Sequence, residues 1–276
     1  MLLNRGLPAV SKAFLDTTVL TDILLKSGEL GLWSREAIKE YDEILLPVYA
    51  MKEFSSGPLS YWIWLYNKFA LTKSLSKTIL AISSMVPMKP RTAQTALEAL
   101  SLCNNSIPIS GMTEEENAEF YRQVLLGKIM RAWKKRRNVV PGTNVVDDLP
   151  CFTEGDPLLK QEDKTLNNAA CKCHLRRGKD CCAAAIIKKH PDDIAALIKA
   201  IEGKSRREDV SRRAVLHKML NTPKLSLNAR ECRNIGDAYF AIQAPRDSVI
   251  LTTNGKDHKE LADALGKQVL CPQDTP

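Results

Sequence analysis

The sequence predicts an α/β protein with a central parallel sheet covered by helices. Two observations support this prediction: short, strongly apolar runs occur near both ends of the chain, and segments with helical patterning alternate with them. Strands and helices that alternate in this way form parallel sheets with helices on both faces. The chain has 276 residues, of which 44% are hydrophobic and 26% charged, a composition that excludes wholesale disorder.

The N-terminal part is predicted to contribute two strands, each followed by a helix. The predicted strands cover residues 10–15 and 44–48, and the predicted helices cover residues 18–25 and 50–54. Asp16 lies at the carboxyl end of the first strand. Pro47 is expected near a strand end, because proline donates no hydrogen bond to a sheet. Gly57 and the two serines before it stop the second helix.

The middle of the chain is predicted to be mostly helical. Residues 61–66 are apolar on nearly every side, which indicates a buried helix or strand; a platform of rings that stack on nucleic-acid bases is the alternative. Thr113 and Glu116 match a capping box, and helical spacing continues from there to about Arg137. Residues 139–168 contain three prolines and two glycines and are predicted to form a long loop.

The C-terminal part returns to alternating helices and strands. Pro191 and the two acids after it are typical of a helix start, and Gly203 lies past the end of that helix. Residues 248–252 (SVILT) form the clearest strand, because β-branched residues are frequent in strands. Further helices are predicted at residues 208–220, 236–243 and 257–265, and short strands at 225–227 and 268–270.

Positive charge is concentrated in the second half of the chain. Residues 121–220 contain 22 Lys and Arg against 12 Asp and Glu, whereas the whole chain has a net charge of +8. A basic segment in a slightly acidic scaffold indicates a polyanionic partner, with nucleic acid as the first candidate and an anionic membrane as the second. The alternative is a solvated basic face without a specific ligand.

Four acids occupy comparable places in the predicted fold. Asp16 ends the first strand, Glu53 lies on the helix after the second, and Asp237 and Asp257 precede and follow the SVILT strand. Because the carboxyl ends of parallel strands meet at one crevice, we expect these acids to lie close together. Clustered carboxylates repel one another unless a cation lies among them, which indicates a Mg²⁺ or Mn²⁺ site. The alternative is that Asp16 and Asp237 only cap helices and that Glu53 is a surface residue.

Four short motifs, each carrying one of these acids, resemble those of the PIN-domain nucleases. The motifs are residues 14–20 (FLDTTVL), 46–54 (LPVYAMKEF), 236–241 (GDAYFA) and 250–257 (ILTTNGKD). They occur in the family's order and on the expected strands and helices. His258 follows Asp257 where the family usually has Phe, and we expect it to pack at a helix start rather than to act as a base.

The resemblance implies a PIN-like three-layer sandwich and a metal-dependent endoribonuclease of the toxin type. Asp16, Glu53 and Asp237 would hold Mg²⁺ or Mn²⁺, and Asp257 would complete or support the site. The residues expected to support these ligands through hydrogen bonds are Thr17, Thr253 and Asn254. A role as a toxin or in defence against foreign nucleic acid follows from family analogy alone.

The resemblance also implies a division of the chain. We predict a PIN-like nuclease core from residues 1–70 and 221–276 and a basic helical insertion over residues 71–220. The basic residues expected to line a groove for RNA phosphates include Lys134, Lys135, Arg136, Arg137, Arg176, Arg177, Arg206, Arg207, Arg212 and Arg213. The alternative is that the same helices bind an acidic partner protein, such as an inhibitor.

Four of the eight cysteines lie within twelve residues. Cys171, Cys173, Cys181 and Cys182 offer thiolates for a structural Zn²⁺ that would pin the inserted helices. Their Cys-x-Cys and Cys-Cys spacing differs from that of paired zinc knuckles, so buried reduced cysteines or a redox-labile cluster are the alternatives.

Location and partners are predicted from what the sequence lacks and from the resemblance. No apolar run reaches the length of a membrane span and no secretory signal is recognised, so we expect a cytoplasmic protein without a membrane partner. The expected partners are an RNA substrate, an inhibitor or cognate protein, and a second copy in a homodimer. A catalytically inactive adaptor with a PIN-like core is the alternative function.

Overall fold

The computed structural model describes residues 11–104, 111–152, 165–167, 181–222 and 225–274. The strands in this part of the chain are β1 (Lys12–Leu15), β2 (Glu43–Pro47), β3 (Thr143–Val146), β4 (Ser248–Leu251) and β5 (Gln268–Leu270). The helices of the first half are α1 (Thr17–Leu25), α2 (Glu29–Ala37), α3 (Val48–Ser56), α4 (Pro58–Thr72), α5 (Leu75–Met85), α6 (Pro90–Asn104) and α7 (Glu114–Lys135). Those of the second half are α8 (Cys182–Ile187), α9 (Pro191–Ala200), α10 (Arg207–Asn221), α11 (Ala229–Asn234), α12 (Gly236–Gln243) and α13 (Gly255–Ala264).

The five strands form one parallel sheet in the order β3-β2-β1-β4-β5. Lys12 of β1 is opposite Glu43 of β2 on one side and Ser248 of β4 on the other. Because β1 lies in the centre, its side chains are almost completely buried beneath the flanking helices. The predicted α/β class with a central parallel sheet is therefore confirmed, and the carboxyl ends of all five strands lie along one edge.

Strand β3 corrects the prediction of a long loop over residues 139–168. Thr143 pairs with Ile44 and Val146 with Pro47, so this short run extends the sheet beyond β2. The strand was missed because it is short and follows the turn signal at Gly142, which has a positive φ of 84°. A segment assigned to the helical insertion thus supplies an edge strand of the central sheet.

The aromatic stretch after Gly57 is helical and mostly buried. Trp62, Tyr66 and Phe69 of α4 have exposed fractions of 3% or less. The Phe69 ring stacks on Tyr121 of α7 at 5.5 Å between centroids. This burial favours the predicted core role for most of the stretch and leaves Tyr61 half-buried at its start.

Several predicted helix boundaries are confirmed by their caps. Thr113 and Glu116 form the expected capping box at the start of α7, and Pro191 is the first residue of α9. Residues 225–227, predicted as a strand, are irregular; the Leu225 carbonyl accepts a hydrogen bond from the Cys181 amide. None of the helices in the described ranges has the length and apolar character needed to cross a lipid bilayer.

Candidate active site

Asp16 lies buried at the carboxyl end of the central strand. It is the N-cap of α1 and accepts a hydrogen bond from the Thr17 amide at 2.6 Å. Its other oxygen accepts hydrogen bonds from the hydroxyls of Thr18 at 2.6 Å and Thr252 at 2.8 Å. Burial by itself raises the pKa of Asp16, but the neighbouring His258 and these hydroxyls outweigh burial and lower the pKa to about 2. Asp16 is therefore ionised at neutral pH.

Glu53 is brought to Asp16 by helix α3. The Thr17 hydroxyl donates to Glu53 Oε2 at 2.8 Å, so Thr17 contacts both acids through its amide and its side chain. Burial, followed by the negative charges of Asp237 and Asp16, raises the pKa of Glu53 from 4.5 to about 8, although the Thr17 hydrogen bond opposes this rise. Glu53 is thus predominantly protonated at neutral pH in the absence of an added cation.

Gly236 allows α12 to begin directly against α3. A Cβ atom at this position would lie 2.8 Å from Glu53 Oε1 and 3.3 Å from the Tyr49 ring. A side chain here would push the end of Glu53 aside, so the glycine permits this close approach. It places the next residue, Asp237, beside Glu53, and both side chains line the same cleft.

His258 joins the acids from the two ends of the chain. Its Nε2 lies 3.4 Å from Asp16 Oδ2 and 3.5 Å from Asp237 Oδ1. Burial lowers the pKa of His258, but the two carboxylates raise it more strongly, to about 9, so the ring is an imidazolium at neutral pH. The ring also packs edge-on against Phe240 at 5.7 Å, as expected for a residue that replaces an aromatic. Its ionic contacts with both acids were missed by the sequence analysis.

A continuous chain of ion pairs leads from Asp237 to Asp257. The buried Arg212 guanidinium contacts both Asp237 and Asp209, the latter at 3.0 Å. Arg206 contacts Asp209 at 2.7 Å and Asp257 at 2.8 Å. The structure thus engages Arg206 and Arg212, both expected to contact RNA phosphates, in internal ion pairs. Asp257 also accepts from the Asn254 amide at 2.7 Å, and these contacts outweigh burial to lower its pKa.

The four predicted acids, called here the acid cluster, are Asp16, Glu53, Asp237 and Asp257. Together with Asp209 they supply five carboxylates, whereas the ion pairs that connect them contain three cationic side chains: His258, Arg212 and Arg206. Two negative charges are therefore unmatched when every carboxylate is ionised. The nearby Lys52 ammonium lies 2.9 Å from Cys232 Sγ, and its positive charge also acts on Glu53, where it opposes the rise of the pKa.

The donor chemistry of the acid cluster fits a hard divalent cation. Carboxylate oxygens are the ligands that Mg²⁺ and Mn²⁺ prefer, and two unmatched charges correspond to one such ion. Within the described ranges, no set of three or more His, Cys, Asp and Glu side chains is already arranged as a metal site. His258 and Arg212 instead neutralise Asp16 and Asp237 in this structure.

A cleft of about 490 Å³, called here the arginine cleft, opens beside the acid cluster. Glu53, Asp237 and Asp257 line it, together with the predicted supporting residue Asn254. Its basic residues outside the ion-pair chain are Arg207, Arg230 and Arg233. All three are exposed, and none makes an ion pair or side-chain hydrogen bond within the described part of the chain. Arg230 and Arg233 were missed by the sequence analysis, although their three-residue spacing places them on one face of α11.

The other basic residues predicted to contact RNA differ in their exposure and position. Arg136 is 6% exposed and packs over the Trp133 ring at 3.4 Å, which disfavours its expected role at an exposed phosphate groove. Lys134, Lys135 and Arg137 are exposed at the end of α7, outside the arginine cleft. The predicted contacts that lie outside the described residues are Arg176 and Arg177.

The cysteine prediction can be followed only in part. Cys171 and Cys173 lie outside the described residues. Cys181 is buried and its thiol is hydrogen-bonded to Cys232, while Cys182 is half-buried at the start of α8. A structural zinc at the four clustered cysteines stays a prediction.

A second cleft of about 480 Å³ borders Thr17 and is called here the threonine cleft. Thr17, Thr18 and Thr253 line it, next to Tyr61 of α4 and Glu98 of α6. Thr253 donates to the buried Asp22 at 2.7 Å, and its amide donates to Thr18 at 3.0 Å. The predicted supporting residues thus border both clefts: Thr17 and Thr253 on this side, Asn254 on the arginine side.

Comparisons of the chain with models of protein families, with curated proteins and with solved structures found no match.

Proposed function

We propose that this protein is a Mg²⁺- or Mn²⁺-dependent endoribonuclease with a PIN-like core. The observation that supports the proposal is the juxtaposition of two features of one site. The acid cluster has two unmatched negative charges when every carboxylate is ionised, and the adjoining cleft has three exposed arginines without an ion-pair partner among the described residues. Carboxylates attract a divalent cation and arginines attract phosphate oxygens, so the cleft suits a phosphodiester bound together with a metal ion. Nuclease sites combine these two chemistries.

The proposed roles follow from the contacts of each side chain. Asp16, Glu53 and Asp237 would hold the metal, which when bound supplies activation of water and stabilisation of charge on the phosphate. Thr17, Thr18 and Thr252 fix the orientation of the Asp16 carboxylate through hydrogen bonds. The residues that would bind the phosphates on either side of the cleaved bond are Arg207, Arg230 and Arg233.

The test is cleavage of single-stranded RNA with added Mn²⁺. The double variant Asp16→Asn plus Asp237→Asn is expected to lower the rate by on the order of 100-fold or more, because charge stabilisation at the phosphate is lost. Asp263→Asn is the matched control, since Asp263 is exposed on α13 and lines neither cleft. The proposed site is wrong if the double variant cleaves as fast as the parent, or if excess EDTA leaves the rate unchanged.

A nucleic-acid- or protein-binding adaptor without catalysis is the second candidate function. Its support is the ion-pair chain, in which His258, Arg212 and Arg206 already contact three acids of the cluster without a metal. An adaptor would bind RNA in a salt-dependent manner without turnover, and EDTA would not change its binding. Measuring binding and cleavage on the same RNA separates the two candidates.

A further inference from the structure

The threonine cleft adjoins the acid cluster through Thr17 and shares no lining residue with the arginine cleft. Thr17 lines it and hydrogen-bonds to Asp16 and Glu53. Thr253 lines it too, whereas the next residue, Asn254, lines the arginine cleft. When one phosphate of an RNA strand lies at the acid cluster, the neighbouring nucleotide can therefore lie in this adjoining cleft.

The lining of the threonine cleft disfavours a phosphate group. Its cationic residue Lys26 is paired with the buried Asp22 at 2.9 Å, and the other Asp22 oxygen accepts from Thr253. Glu98 adds a negative charge, so the cleft presents no unpaired positive charge within the described residues. An anionic group would meet net repulsion here, whereas an uncharged group with hydrogen-bond donors would not.

The shape and polarity of the cleft suit a flat aromatic ligand. Leu25, Tyr61 and Leu102 give it an apolar wall in which the half-buried Tyr61 is available for stacking. Glu98 Oε1 accepts a hydrogen bond from Gln94 Nε2 at 3.1 Å, while Glu98 Oε2 has no hydrogen-bond partner among the described residues. An ionised carboxylate only accepts hydrogen bonds, so it selects a ligand edge that carries donors.

We propose that the threonine cleft binds the base of the nucleotide next to the cleaved bond and that it prefers guanine. Guanine presents two neighbouring N–H donors, N1–H and N2–H, which match the two oxygens of the Glu98 carboxylate. Tyr61 stacks on the base. This inference rests on the proposed nuclease function for its place in the reaction, but binding of the base can be measured without catalysis.

The binding experiment uses the four uncharged nucleosides, which lack the phosphate that the arginines would bind. Titration calorimetry of the full chain in EDTA is expected to show guanosine binding at least about 10-fold more tightly than adenosine, cytidine or uridine, the effect of one well-placed hydrogen-bonded pair. Glu98→Gln is expected to remove this preference, because the amide replaces one acceptor with a donor. Glu202→Gln is the matched control; Glu202 is exposed and lines neither cleft.

The cleavage experiment sequences the ends produced from a randomised RNA. Guanine is expected to be enriched at one position beside the cleaved bond, and Glu98→Gln is expected to reduce that enrichment by about 10-fold. Equal affinity for the four nucleosides, or a guanine preference that survives Glu98→Gln, overturns the base-binding proposal. Guanosine binding that depends on Glu98 in a protein that cleaves no RNA supports the base site and contradicts the nuclease function instead.

Discussion

Glu53 is the residue at which charge repulsion in the acid cluster is most directly measurable. Its pKa of about 8 lies above the ordinary value of 4.5, so the unfolded chain ionises this group before the folded protein does. Linkage then lowers the free energy of unfolding as pH rises from about 4.5 to about 8. Ionised Glu53 thus destabilises the fold most at alkaline pH.

Replacing Glu53 by Gln should remove that loss of stability. In EDTA, Glu53→Gln is expected to raise the free energy of unfolding by about 1–2 kcal/mol at about pH 9 and by much less at about pH 5. Urea denaturation at the two pH values measures the difference, with Glu202→Gln as the control. An equal effect of Glu53→Gln at both pH values would contradict the raised pKa.

His258 makes a contribution that is lost as pH rises. Its pKa is raised from 6.5 to about 9, so its stabilisation of the folded state is complete below about pH 6.5 and is lost as pH rises through about 9. His258→Phe is expected to lower the free energy of unfolding by about 1–3 kcal/mol at about pH 6, because Asp16 loses its buried counter-charge. The same denaturation series at about pH 10 should show a clearly smaller loss; equal losses would indicate that only packing against Phe240 was removed.

Individual site residues differ in how far the sequence could predict them. The acids were found because each follows or precedes an apolar strand, a local pattern. His258 and Arg212 were not recognised as partners of these acids, since no spacing along the chain indicates that they meet Asp16 and Asp237. The burial of Arg136 was not predicted, because a basic run does not show which of its residues packs over Trp133.

At the scale of elements, the start of α12 depends on Gly236. Gly236→Ala is expected to destabilise the protein by up to about 1 kcal/mol and to lower the proposed nuclease activity, because the new methyl group would displace the flexible end of Glu53. Gly127 in the middle of α7 is the matched control, since a Cβ there meets no atom within 4 Å. Gly127→Ala should instead stabilise the protein by up to about 1 kcal/mol. Thermal denaturation of the two variants would show opposite shifts.

Helix α11 is the element expected to dominate electrostatic binding of RNA. Arg230→Ala plus Arg233→Ala should weaken binding of single-stranded RNA in EDTA and reduce the salt slope by about 1–2, one unit for each lost phosphate contact. Arg246→Ala is the control; Arg246 is exposed before β4, at the opposite edge of the sheet. Binding measured between about 50 and about 200 mM salt tests this prediction. An unchanged slope in the α11 variant would place the RNA elsewhere.

The whole molecule shows which parts of the fold local patterns can predict. The central strands β1, β2 and β4 were recognised because they are continuous apolar runs that the sheet buries on both faces. The edge strand β3 is half-exposed and short, so its pattern resembles a loop. The predicted division into a core and an insertion over residues 71–220 did not anticipate that this segment supplies β3 and the helix that carries Arg212.

The strand order also determines when the acid cluster can assemble during synthesis of the chain. The central strand β1 is translated well before its neighbour β4 and the acids around it, Asp237 and Asp257. A nascent chain therefore carries Asp16 and Glu53 before it carries the residues that complete the cluster. Fragments that end before β4 would lack the complete cluster as well, so only chains that extend past Asp257 can bring all four acids together.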